Sequence, residues 1–178
     1  MLQKLNTKDF DKVYSLMQES FPPDERRTYE EQKALLNDQH YCIYTLQTPK
    51  AESIKAFIAI WRFNDFAFAE HFAVNPIYRN SGTGSAILRE ITKSLPCLLC
   101  LEVELPENEL SKRRIDFYKR NGFFLNPYPY IQPPISNGRS PVPLMIMTYG
   151  CEVTEQKFKE LKAVLYKYVY NASGDFSA

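Results

Sequence analysis

Histidine and cysteine are scarce: the 178 residues hold two histidines, His40 and His71, and four cysteines. A structural zinc site takes four ligands, commonly as two spaced pairs. Cys97-Leu98-Leu99-Cys100 has the spacing of one pair, but no second pair is evident, so no metal is expected. The same two cysteines lie in an apolar, strand-like run. A low-pKa thiol would sit at a helix start, so all four (Cys42, Cys97, Cys100, Cys151) read as reduced, unreactive thiols of a cytoplasmic protein. An excess of either charge is also missing. Twenty-two basic residues face 21 acidic ones, a net charge of +1, whereas a general nucleic-acid binder shows a basic excess or stripe. No run of 18 apolar residues suggests a membrane span. The first residues, MLQKLNTKDF, lack the apolar core of a signal peptide. Repeats, low-complexity tracts and internal linkers are absent as well, and this length favours one domain.

What the chain has in plenty is aromatic side chains, 12 Tyr and 12 Phe. They serve as core packing first and as the lining of a pocket second. A chain of this size buries roughly 70% of its unfolded surface and needs no cross-links to fold. Residues 1–6 predict a short strand. Thr7 is placed to cap a helix with apolar positions at Phe10, Val13, Tyr14, Met17 and Phe21. Thr28 and Glu31 form a capping box for a second helix running to about Asn37. Three strands follow, YCIYTLQ, IKAFIAIWRF and FAFAEHFAV, separated by short polar breaks as in an antiparallel meander. A helix after YRNSGTGS and the apolar run CLLCLEVE complete a βαβ unit, whose two strands should be parallel neighbours. A helix from Leu110 to Asn121 stops at Gly122. A strand begins at Phe123, a proline-rich loop spans 126–141, and a strand covers 142–149. A final amphipathic helix over 154–170 should pack on the domain's own sheet, with a homodimer contact as the lesser alternative, and 171–178 reads as a frayed tail.

The stretch Tyr78–Ser85, YRNSGTGS, lies between a strand and a helix. A Walker P-loop would need Lys-Ser or Lys-Thr after the glycines, and neither is there. A dinucleotide fingerprint would need a third small residue where Ile87 stands, although Glu102 lies 20 residues past Gly82, where a ribose-binding acid would be. The antiparallel meander before it argues against a doubly wound sheet, which leaves a nucleotide-cofactor oxidoreductase as the alternative enzyme. A third reading is a pyrophosphate cradle. Backbone N–H groups at a helix N-terminus bind anions without lysine, and glycines let the backbone approach. Arg79 adds a charge-assisted contact, and Thr83 and Ser85 add hydroxyls.

Arg79-Asn80-Ser81-Gly82-Thr83-Gly84 resembles the (Arg or Gln)-x-x-Gly-x-(Gly or Ala) motif of the GNAT superfamily of N-acetyltransferases. Phe72-Ala73-Val74-Asn75-Pro76 resembles the end of that family's fourth strand, and Phe117–Phe123 its FYxxxGF segment. The element order is similar too, over about residues 1–149. The resemblance implies a single α+β domain over 1–170. Its centre would be a mixed, mostly antiparallel, twisted sheet of about seven strands flanked by helices, with the C-terminal helix added. It also implies acetyl-CoA as co-substrate. Phe72 and Val74 would offer backbone groups to the pantetheine arm in the manner of an added strand. Arg79, Asn80, Ser81, Gly82, Thr83, Gly84 and Ser85 would hold the pyrophosphate. Ser111 stands where the family often has a cofactor-contacting asparagine.

The implied reaction acetylates a primary amine of a small molecule by direct attack in a ternary complex. A non-catalytic acyl-CoA sensor is the other alternative. An amine of pKa about 10 must first lose a proton. By resemblance, Tyr118 is the acid that protonates the leaving thiolate. For the base, strand alternation predicts that Glu70 shares a face with Phe72 and Val74 and that His71 points the other way. Glu70 is therefore the expected base, the plainer reading being an ion pair with an arginine, and Glu104 is a second candidate. The loops 21–27 and 128–141 are expected to wall the acceptor site, a polyproline partner-binding segment at 128–134 ranking below this.

Overall fold

The computed structural model describes residues 1–48 and 53–172. Strands β1 (Gln3–Lys4), β2 (Tyr41–Gln47), β3 (Ile54–Arg62), β4 (Phe66–Val74), β5 (Leu98–Glu104), β6 (Phe123–Leu125), β7 (Tyr130–Gln132) and β8 (Val142–Tyr149) form one sheet. Helices α1 (Phe10–Ser20), α2 (Tyr29–Ala34), α3 (Thr83–Ser94), α4 (Glu109–Arg120) and α5 (Glu155–Val164) flank it. The strand order is β1-β2-β3-β4-β5-β8-β6, with β7 also on β8, and only the β4–β5 pair is parallel. The α+β architecture and the βαβ unit stand as expected. The eighth strand arises because the proline-rich stretch is not all loop. Beyond Pro127 and Pro129 the chain rejoins the edge of β8 through β7, pairing Tyr130 with Leu144.

Local chemistry sets the helix ends. Asn6, rather than Thr7, makes the first cap: its side chain accepts from the Lys8 N–H and starts a 3₁₀ turn, so α1 begins only at Phe10. Thr28 and Glu31 form the expected reciprocal capping box on α2. Gly82 caps α3 with φ of +78°.

The sheet separates two apolar cores. On one face α1 and α5 bury Phe10, Met17, Phe158 and Leu161 against Phe57, Trp61 and Phe68. On the other, α3 and α4 bury Ile87, Leu88, Ile91 and Ile115 against Ile58, Ile60 and Leu101. Each such side chain contributes about 1.5–3 kcal/mol on burial, which is what holds the helices to the sheet. The final helix packs on its own sheet, as expected, but its last turn widens to π geometry over Leu165–Val169. Residues 173–178 of the tail lie outside the described residues. Among the described residues no helix is long and apolar enough to cross a membrane, and no group of three or more metal-ligating side chains occurs.

Candidate active site

The parallel pairing of β4 and β5 runs from Phe66–Leu98 to Ala69–Leu101 and stops there. The two strands continue to Val74 and Glu104 without pairing to each other. A cavity of about 560 Å³ opens from this fork, lined by both strands, the turn before α3, α4 and the two loops flanking β4's far end. Backbone amides of β4 past the fork are thus left without a partner on the β5 side, an arrangement that takes an extended, amide-bearing ligand.

At one end of the cavity the chain turns from β4 into α3. Asn80 and Gly82 have φ of +59° and +78°. Asparagine tolerates this left-handed region and glycine adopts it freely. Successive N–H groups then line a concavity at the start of a 12-residue helix, where an anion is favoured. A Cβ on Gly84 would come within 3.0 Å of the Phe117 ring and 3.7 Å of the Phe72 ring, so a larger side chain would crowd the meeting of α3, α4 and β4. Arg79 donates from Nε to the Val74 carbonyl at 2.9 Å, tying the turn to the end of β4. Phe72, Val74, Arg79, Asn80, Gly82, Thr83, Gly84 and Ser85 all line the cavity.

Ser81 and Ser111 do not. The Ser81 hydroxyl bonds the Tyr78 carbonyl at 2.6 Å and Thr83 Oγ1 at 2.8 Å, within the turn. Ser111 is buried at the third position of α4. Its Oγ accepts from the Asn108 N–H at 3.2 Å and donates to the Asn108 carbonyl at 3.0 Å. The helix cap uses this hydroxyl, which places it outside the cavity lining. Leu110 and Arg113, its neighbours on the open side of α4, line the cavity instead.

Tyr118 lines the middle of the cavity. Burial pushes its pKa up to about 12, with Arg114 pulling the other way, so the hydroxyl keeps its proton at neutral pH. That hydroxyl has no hydrogen-bond partner among the described residues.

The far end is acidic. Glu25, Glu70, Glu102 and Glu104 converge there with His71. The expected alternation along β4 fails at this point. Between Ala59 and Ile60 of β3 the register slips, leaving Glu70 as an extra, unpaired residue of β4. The bulge brings Glu70 and His71 to the same side, with His71 Nδ1 3.5 Å from Glu70 Oε2. Phe72 and Val74 pack on the opposite core.

Glu70 is buried against Arg27, whose Nη1 lies 2.6 Å from Oε1. Burial would raise the carboxyl's pKa, but Arg27, aided by His71, holds it at about 2. A carboxylate that weakly basic makes a poor proton acceptor. The arginine-pair reading of Glu70 therefore fits the geometry better than the role of base. Arg27 also donates from Nη2 to the Val169 carbonyl at 2.7 Å and lies over the Trp61 ring. His71 donates from Nε2 to the Glu25 carbonyl at 2.8 Å, since a carbonyl only accepts. Glu104, the second candidate, pairs with Arg114 at 2.6 Å on the half-exposed side.

Glu102, placed in sequence where a ribose-binding acid would be, is surrounded in the fold by tyrosines and other carboxylates. It sits on β5 one residue past the fork. Tyr130 Oη donates to Oε1, and Tyr170 Oη lies 2.9 Å from Oε1 and 2.7 Å from Oε2. Burial pushes its pKa up to about 7. The two tyrosines pull it down, and Glu70 and Glu25 push it further up. Glu25, on the 3₁₀ turn after α1, is also raised, by burial and then by Glu104. Neither acid has a motif of its own, since each depends on strands and turns brought together from far apart in sequence.

The two expected wall loops do meet. Gln132 Nε2 donates to the Asp24 carbonyl at 3.1 Å, the Ser140 N–H to Asp24 Oδ1 at 3.1 Å, and Ser136 Oγ to Glu31 at 2.5 Å. Phe21 and Glu25 from the first and Gln132 and Ile135 from the second line the cavity.

Comparison with known proteins bears on this geometry directly. A Bacteroides thetaiotaomicron protein assigned to the GNAT acetyltransferases is 32% identical and superposes with a TM-score of 0.87 over 97% of this chain and 99% of its own. The acetyltransferase (GNAT) domain profile matches residues 37–124. The chain belongs to the GNAT family of acetyltransferases. More distant solved structures share the fold. The ribosomal-protein-S18-alanine N-acetyltransferase of Escherichia coli is 23% identical with a TM-score of 0.59, over 88% of this chain and 96% of that one. Arabidopsis thaliana NAA60 in complex with acetyl-CoA is 16% identical with a TM-score of 0.63, over 84% and 97%. No curated protein sequence matches the chain. Membership in this family removes the oxidoreductase alternative.

Proposed function

We propose that this GNAT acetyltransferase moves the acetyl group of acetyl-CoA to the primary amine of a small, cationic acceptor, by direct attack in a ternary complex. The observation that carries the reading is the fork at Ala69 and Leu101, with an anion-binding turn at one end of its cavity and a cluster of carboxylates at the other. The turn with Arg79 suits the pyrophosphate, and the unpaired edge of β4 at Phe72 and Val74 suits the pantetheine amides. The acidic end suits an ammonium, and Phe21, Ile135 and Leu144 beside it suit a short apolar part.

In this reading the bound ammonium first gives up a proton to solvent or to a carboxylate. The free amine then attacks the thioester carbonyl carbon. The new C–N bond forms, the nitrogen loses a second proton to a base, and the C–S bond breaks. Tyr118 gives its phenolic proton to the departing thiolate and regains one afterwards. Glu102 is the base we favour over Glu70, because an acceptor with pKa near the working pH is the effective one, and Glu70 is held near 2 by Arg27.

Calorimetric titration with acetyl-CoA and CoA, followed by a free-thiol release assay across small mono- and diamines and lysine- or amine-terminated peptides, tests the reading. Micromolar binding and turnover with small amines support it. Turnover confined to peptides would overturn the acceptor class, and absence of acetyl-CoA binding would overturn the function.

A further inference from the structure

The family profile ends at residue 124, and the resemblance in sequence ends near 149. The final helix lies beyond both, yet its last turn contacts residues that line the acidic pocket. Three contacts tie it there. The Tyr166 hydroxyl donates to the Ile131 carbonyl of β7 at 2.6 Å. The Val169 carbonyl accepts from Arg27, which in turn holds Glu70. The Tyr170 hydroxyl bridges both oxygens of Glu102. The π turn over Leu165–Val169 places these groups: the Tyr170 N–H bonds the Leu165 carbonyl at 3.1 Å, five residues back, and Leu165, Tyr166, Val169 and Tyr170 are all buried.

We propose that the C-terminal helix is part of the catalytic centre, with Tyr170 and, from β7, Tyr130 acting as positioning residues that fix the Glu102 carboxylate at the β4–β5 fork. The proposal rests on the reading of Glu102 as the base. A glutamate side chain has three rotatable bonds, and donors on its oxygens hold one rotamer toward the cavity. They also set its proton affinity. The groups facing Glu102 are Glu70 from β4, Glu25 and Arg27 from the α1–α2 loop, Tyr130 from β7 and Tyr170 from the helix end. Glu70 and Glu25 favour the protonated Glu102, and the two phenols are the donors that oppose them. Both phenols stay protonated, because burial and Glu102 itself raise their own pKa values.

Tyr170→Phe removes one donor and keeps the ring. The side-chain carboxyl carbon of Glu102, followed by ¹³C NMR in protein labelled at glutamate and assigned with Glu102→Gln, should then titrate about one unit higher, the size expected for one hydrogen bond to a charged group. The acidic limb of the kcat–pH profile should move by the same amount, while the Kd for acetyl-CoA stays within twofold. Tyr130→Phe should act in the same direction, which keeps the test available if one variant folds poorly. An unmoved Glu102 titration in folded Tyr170→Phe and Tyr130→Phe proteins would overturn the positioning roles. A titration that moves while the kcat–pH limb does not would leave the tyrosines on Glu102 but remove Glu102 as the base.

Discussion

Arg27 Nη1 and Glu70 Oε1 lie 2.6 Å apart inside the fold, the arginine on the loop after α1 and the glutamate at the bulge of β4. The pair joins three elements, because Arg27 also holds the Val169 carbonyl at the end of the chain's last helix. Removing one partner of a buried ion pair leaves an uncompensated charge and costs about 3–5 kcal/mol. Arg27→Met should therefore lower the melting temperature by about 10 °C, at about 2–4 °C per kcal/mol for a domain of this size. A melting temperature within 2 °C of wild type would mean that the pair contributes little.

The same pair sets an acid limit on stability. Glu70's pKa is about 2 in the fold against the ordinary 4.5 of a glutamate, so the folded state binds fewer protons than the unfolded chain between these values. Stability from this group is complete above about pH 4.5 and is lost as pH falls toward 2, a change of about 3 kcal/mol. Urea unfolding at intervals from pH 6 to pH 2.5 should show this slope in wild type. Glu70→Gln, already destabilised at neutral pH, should show a flatter dependence below pH 4.5. Parallel curves for the two proteins would contradict the assignment.

Tyr118 is the residue whose role the sequence motif and the structure approach from different sides. The residue lines the cavity, and its hydroxyl has no hydrogen-bond partner among the described residues and keeps its proton with a pKa of about 12. Tyr118→Phe deletes the donor and leaves the ring packed against Phe117 and Phe123. Loss of a positioned acid typically costs 10²–10⁴ in rate, so kcat should fall by about a hundredfold or more with the Kd for acetyl-CoA unchanged. An unchanged kcat in pre-steady-state and steady-state assays would remove the acid role.

Features carried by contiguous residues could be read from the chain alone. Apolar spacing locates α1, the Thr28–Glu31 pair announces its capping box, and Arg79–Gly84 marks the turn that starts α3. Features made by register could not be read this way. Strand alternation predicts that Glu70 and His71 point apart. The bulge that turns them together depends on a one-residue slip against β3, set by packing on both faces of β4. Glu102 was hidden for a related reason: its donors, Tyr130 and Tyr170, lie 28 and 68 residues away. At Ser111 cap chemistry and ligand chemistry ask for the same residue type, and in the fold the nearer partner, Asn108, takes the hydroxyl.

The proposed anion-holding role of the turn can be tested apart from its backbone strain. Gly82 and Gly150 have φ of +78° and +92°, and a Cβ at either would meet nothing within 4 Å. Alanine at each should cost roughly 1–2 kcal/mol of stability through the left-handed backbone alone. Only Gly82 lines the cavity. Gly82→Ala should therefore raise the Kd for acetyl-CoA severalfold by calorimetry, and Gly150→Ala should leave it within twofold. Equal affinities in the two variants would mean that the turn does not carry the pyrophosphate.

Glu25 offers a handle on the acceptor itself. Its carboxylate lines the acidic end of the cavity and accepts no hydrogen bond among the described residues. Burial and the nearby Glu104 both raise its proton affinity, with Arg114 and His71 opposing. An anion left in that state gains when a cation binds beside it, which is the interaction a charged acceptor supplies on arrival and keeps if it carries a second ammonium. Glu25→Gln preserves size and polarity but removes the charge. For a diamine acceptor the KM should rise about tenfold, the order expected for one charge-assisted contact of about 1.5 kcal/mol. The rise should be smaller for a monoamine of equal length, which lacks the second ammonium, and the Kd for acetyl-CoA should not change. Equal KM shifts for the two acceptors would show that Glu25 shapes the wall of the pocket without reading the charge of what enters it.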